Sequence, residues 1–137
     1  MSHVKEALRL FENKYVCSQA VFAAFSEELG LDKEYAIKIG ACFGSGMRKG
    51  EVCGACTGAL MALGLKYGDD KQTSNKVCNE FLDEFKKENG SYICNELLGC
   101  DITTPEGVDF AVKNNLFTEF CPKMVESAAV IVEKILK

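Results

Sequence analysis

Apolar residues recur along this chain at intervals of three and four, the spacing that gathers them on one face of an α-helix. Residues 3–12 put Val4, Leu8 and Phe11 on one face. Residues 17–30 do the same with Ala20, Val21, Ala24, Phe25 and Leu29, and Gly30 supplies the stop. Asp32 is a natural cap for a third helix, DKEYAIKIGACF, which runs into a glycine-rich loop at 44–50. A fourth helix, from about Gly54 to Tyr67, is apolar on nearly every side, which predicts a central position. A fifth, from about Asp70 to Asn89, carries Val77, Cys78, Phe81, Leu82 and Phe85 at helical spacing. A short turn is expected in CNELLG, and Thr104-Pro105-Glu106 opens a helix to about Asn114. The last helix, 122–136, aligns Val125, Ala128, Ala129, Val132 and Leu136. Strand alternation is nearly absent. The pattern predicts an all-α fold, one domain over residues 1–137, built as a bundle of six or seven helices.

Length and composition agree with that picture. The chain has 137 residues, 47% of them apolar, enough for one substantial core. No run approaches the roughly 18 residues a membrane helix needs, and ALMALGL is the longest candidate. The first residues, MSHVKEALRLFENK, mix charged and apolar positions rather than forming a signal peptide, so a cytoplasmic location is expected, without membrane insertion. A net charge of −4 with both signs interspersed leaves no basic stripe for a phosphate backbone, which argues against nucleic acid as a partner.

Eight cysteines change the question. A reducing compartment and a chain of this size argue against a disulfide framework, and for catalysis, redox sensing or metal binding. Cys17 begins the second helix, Cys53 precedes the fourth, Cys94 opens the CNELL turn and Cys121 precedes Pro122. Helix N-termini carry free N–H groups and the positive end of the dipole, which lower a thiol pKa and favour the thiolate. Thiolate is both the nucleophile and the metal ligand, so the placement supports dithiol chemistry and metal ligation alike. Cys53 and Cys56 form a C-x-x-C across one helical turn, with Cys53 the expected nucleophile and Cys56 a candidate resolving partner. Cys78 reads as core packing, Cys42 suits core or site, and position assigns Cys100 no role. Gly54 and Gly58, four apart, would let another backbone or a bound cofactor approach the central helix closely.

Absences narrow the chemistry. The glycines lack a GK[ST] ending and a G-x-G-x-x-G run, so a nucleotide site is not supported. His3 is the only histidine and lies near the terminus, where mobility is expected. That argues against a Cys–His nucleophile pair and a mixed Cys/His zinc site. Any metal would be held by sulfur, which suits an iron–sulfur cluster or an all-cysteine zinc site.

The run Cys53-Gly54-Ala55-x-x-Gly58, with the stretches NKYVCSQAVFAAF, SYICNELLGCD and FCPKMVESAA, resembles the C_GCAxxG_C_C family, whose members are classed as redox-active. The resemblance extends over nearly the whole chain. It implies four family cysteines at Cys17, Cys53, Cys94 and Cys121, and puts Cys56 at a variable position, so that the partner of Cys53 would lie far away in sequence. It also implies related domains that occur beside haem or iron–sulfur electron carriers, and family members encoded near transporter genes.

The expected function is redox chemistry by clustered thiolates, with a redox partner protein or a small thiol or disulfide as substrate. Catalytic candidates are Cys53, Cys17, Cys94, Cys121 and Cys56, and Gly54 and Gly58 are candidates for contact with a cofactor. The alternatives are an all-cysteine metal module, most plausibly iron–sulfur, with Cys17, Cys53, Cys94 and Cys121 as ligands, and a helical interaction domain whose cysteines merely pack.

Overall fold

The computed structural model describes residues 2–137. It contains eight α-helices: α1 (His3–Glu12), α2 (Cys17–Ser26), α3 (Lys33–Gly40), α4 (Gly54–Tyr67), α5 (Lys71–Asn89), α6 (Cys94–Leu98), α7 (Pro105–Lys113) and α8 (Cys121–Leu136). A short left-handed turn, Gly46–Gly50, and a short π-helical turn, Leu116–Phe120, lie before α4 and α8. The fold is all-α; the only strand-like feature among the described residues is an isolated antiparallel bridge between Val52 and Ile93. No helix among them is long and apolar enough to cross a membrane.

The caps follow from side-chain chemistry. Ser2 accepts the Lys5 N–H at 3.1 Å, Asp70 accepts the Thr73 N–H at 3.3 Å and Thr104 accepts the Gly107 N–H at 3.0 Å. Asp32 holds the cap position of α3 but makes no side-chain bond there. The second and third helices are shorter than their periodicity suggests: α2 stops at Ser26, and α3 stops at Gly40 rather than reaching Phe43.

α4 packs against α2, α5 and α8, and α2 in turn packs against α1, α3, α4 and α8. The centre is therefore a pair of helices rather than α4 alone. Both are rich in alanine, and α4 adds glycine, which lets their backbones come close. A Cβ added at Gly58 would run into the Ser18 carbonyl oxygen, so the close neighbour that Gly58 admits is the backbone of α2. Phe25, Phe81, Phe85, Leu63, Ile131 and Val125 fill the remaining core. Ser18, fully buried, is satisfied by donating to the Gly40 carbonyl at 2.6 Å, which ties α2 to the end of α3.

One expectation is corrected. His3 is not in a loose terminus: its ring stacks on Phe25 with centroids 4.5 Å apart, and its nitrogens meet Glu28 and, at 2.9 Å, Glu133. In the stretch at 44–50 the glycines Gly44, Gly46 and Gly50 are buried, and Ser45, Met47, Arg48 and Lys49 are exposed. Ser45, Gly46, Met47 and Arg48 take φ of +55°, +61°, +57° and +61°, a left-handed run that costs roughly 1–2 kcal/mol at each non-glycine position.

Candidate functional site

Cys17, Cys53, Cys94 and Cys121 line one cavity of about 440 Å³. Each arrives there by its own local device. Val16 holds the position before α2, where its N–H donates to the Gln19 side chain at 2.9 Å, and Cys17 follows as the first helical residue. Cys53 is the cap residue of α4 and Cys94 the first residue of α6. These two flank the Val52–Ile93 bridge: the Cys53 N–H donates to the Tyr92 carbonyl at 2.8 Å, and the Cys94 N–H to the Glu51 carbonyl at 2.5 Å. Successive side chains alternate across such a bridge, so the residues after Val52 and Ile93 turn to one side together. Cys121 enters α8 directly from the Leu116–Phe120 π-turn, without the intervening loop that the sequence suggested.

The floor of the cavity is buried Cys53, Gly54, Cys94, Leu98 and Met124, and its walls include Phe11, Phe117 and Phe120. Glu12, Lys14, Tyr15, Ser45 and Thr118 are exposed at its rim. A Cβ at Gly54 would strike Cys17 Sγ and come to 3.0 Å from the Phe43 carbonyl oxygen, so the bare backbone at Gly54 makes room for the Cys17 sulfur.

Electrostatics separates Cys53 from the other three. The Cys56 thiol donates a hydrogen bond to it, and the Ala55 and Cys56 backbone N–H groups of the first turn of α4 add theirs; together they hold Cys53 below the ordinary thiol value of 9.0, against the opposing effect of burial. Burial first, then the charge of Cys53, pushes Cys17 up to about 11, despite N–H groups of Ser45, Ser18 and Cys17 that favour its thiolate. Cys94 and Cys121 are each pushed up to about 12, again by burial first and then by the charge of neighbouring cysteines. The expectation that all four helix ends would favour thiolate thus holds for one. For the others, removal from water outweighs a partial dipole charge. Cys56 is fully buried and raised, by burial and then by the hydrogen bond it gives to Cys53.

The remaining cysteines lie outside the cavity lining. Cys42 is exposed beyond α3, and Cys78 is half-buried on α5 and absent from the buried core where its spacing would put it. Cys100, half-buried, lies near enough for its charge to raise Cys94. A bound zinc or iron ion needs sulfurs converging at about 2.3 Å from one point. Among the described residues no three Cys, His, Asp or Glu side chains are gathered closely enough to hold a single metal ion.

Sequence reasoning missed the aromatic wall and the part played by Ser45. Phe117 and Phe120 stand in LFTEFC, where apolar residues just ahead of a helix-opening cysteine were an available signal. Ser45 acts through a backbone N–H whose direction depends on left-handed φ, and its side-chain type carries no trace of that.

A family model described as "Putative redox-active protein (C_GCAxxG_C_C)" matches residues 15–135. Neither a curated protein nor a solved structure matches the chain.

Proposed function

This chain belongs to the C_GCAxxG_C_C family, and we propose that it carries out reversible thiol–disulfide exchange with Cys53 as the nucleophile. The observation that carries this reading is the state of Cys53: its pKa is lowered by the Cys56 thiol and the first-turn amides, and its sulfur borders a cavity with three further thiols. A lowered pKa supplies thiolate near neutral pH, and a cavity gives it somewhere to meet a substrate.

Cys53 Sγ attacks one sulfur of a disulfide R–S–S–R. One RS⁻ leaves and takes a proton from water, and Cys53–S–S–R remains. Cys56 sits one helical turn along and already donates to Cys53. Its proton passes to the departing thiolate as its sulfur bonds to Cys53 Sγ, and the second R group leaves as RSH. The substrate gains two electrons and the protein holds a Cys53–Cys56 disulfide. This reading favours a resolving partner three residues away over a distant one. Cys17, Cys94 and Cys121 then shape the cavity and keep their protons, so that one thiol reacts first.

Thiol titration of the protein before and after oxidation tests this. The native chain should lose two of its eight thiols reversibly, Cys53→Ser should lose none, and Cys56→Ala should accumulate a mixed disulfide visible by mass spectrometry. Unchanged two-thiol loss in Cys53→Ser would sink the proposal.

A second reading, an iron–sulfur module, draws on the number of thiols around one cavity, since four is the ligand count of such clusters. Purification without oxygen separates the two. A brown protein containing iron supports the cluster, and a colourless one whose thiols titrate as above supports exchange.

A further inference from the structure

The cavity in front of Cys53 has a size and a lining that restrict what can reach it. Its volume, about 440 Å³, lies within the roughly 300–1,000 Å³ of small-molecule sites. Cys53 is only 8% exposed and forms part of the floor, so a disulfide on the surface of a folded protein cannot descend to it past the rim. Between rim and floor, beside the half-buried Cys17 and Cys121 thiols, the walls are Phe11, Val16, Leu97, Phe117, Phe120 and Pro122, none of which offers a charge or a side-chain hydrogen bond. The only charged residues in the lining, Glu12 and Lys14, are exposed, opposite in sign and two residues apart, so they attract neither sign at long range. A charged ligand would shed water on entry and find no charged side chain in the walls; an anion would also be repelled by the Cys53 thiolate, and a cation would find that thiolate alone to offset the loss, a penalty that an uncharged apolar ligand avoids.

We infer that the substrate of this site is a small, uncharged, apolar disulfide that enters the cavity bodily, rather than a protein disulfide or a charged one such as glutathione disulfide. This rests on the thiol–disulfide reading above and adds the substrate class. The step is the one already written, with R an alkyl or aryl group seated against the aromatic wall. The two leaving thiols depart by the same mouth and carry the two electrons that the Cys53–Cys56 pair loses.

Three linear disulfides of similar length and different charge provide the test: dipropyl disulfide (neutral), dithiodipropionate (dianion) and cystamine (dication). The rate at which each oxidises the fully reduced chain is divided by its rate with dithiothreitol, which removes intrinsic reactivity. Dipropyl disulfide should exceed both charged compounds by about tenfold or more, the scale of a charged group left unpaired in an apolar site. Phe117→Lys places a cation in the wall and should raise dithiodipropionate relative to dipropyl disulfide. Thr118→Lys, at the exposed rim, asks the same of a position where folding is not at stake. Normalised rates within about threefold of one another, or a preference for a charged disulfide, overturn the substrate class while leaving the exchange reading intact. Failure of all three compounds, and of a small inorganic oxidant, to remove two thiols overturns both.

Discussion

Cys53 and Cys56 have similar burial and opposite electrostatics, because one accepts the hydrogen bond that the other gives. Cys53 is also the cap residue of α4, where the nearby Ala55 and Cys56 N–H groups and the positive helix end favour its anion. The rate of alkylation by iodoacetamide should therefore rise with pH and level off below 9.0, the ordinary thiol value. Cys56→Ala removes the largest favourable contribution. Its alkylation curve should move to higher pH, with Cys53 reacting severalfold more slowly at pH 7. An unmoved curve would assign the lowered pKa to the backbone alone.

At the scale of elements, the site depends on how closely α2 and α4 approach. Gly58 receives the Ser18 carbonyl and Gly54 receives Cys17 Sγ, so the two glycines set both the packing and the position of a cavity thiol. Gly58→Ala should destabilise the fold by about 1–3 kcal/mol in urea unfolding, because overpacking against backbone outweighs the helix propensity that alanine gains. The Cys53 alkylation profile should change little. Gly54→Ala should lower stability and also displace Cys17, altering the reactivity of the cavity thiols. If both variants were as stable as the native chain, the close approach would be unnecessary to the fold.

For the whole molecule, the buried thiols make stability depend on pH. Thiols of the unfolded chain ionise near 9.0, whereas folded Cys17 holds its proton to about 11 and Cys94 and Cys121 to about 12. Between these limits the folded state binds more protons, so stability falls as pH rises. The contribution is intact below pH 9 and lost through the folded values, with a slope of at most about 1.4 kcal/mol per pH unit for each thiol. Cys53, lowered in the fold, runs the other way: its contribution is present above 9 and declines as pH falls through its folded value. Urea unfolding at several alkaline pH values should show the decline, and the combined Cys17→Ser, Cys94→Ser and Cys121→Ser variant should flatten it.

Much of this was determined by the order of residues alone. The period of the apolar positions specifies helices, because only a helix brings positions three and four apart onto one face, and Gly90 and Thr104-Pro105 mark helix ends by local backbone chemistry. The same local logic puts Cys17, Cys53 and Cys94 at helix starts. What lies between those starts is a matter of tertiary structure. The Val52–Ile93 bridge that joins Cys53 to Cys94, and the meeting of Phe117 and Phe120 with Phe11 and Cys17 around one cavity, depend on contacts between segments tens of residues apart. Ionisation divides in the same way. The helix dipole is local and legible in sequence, but burial is collective, and at Cys17, Cys94 and Cys121 it prevails because removing charge from water costs more than a partial dipole returns.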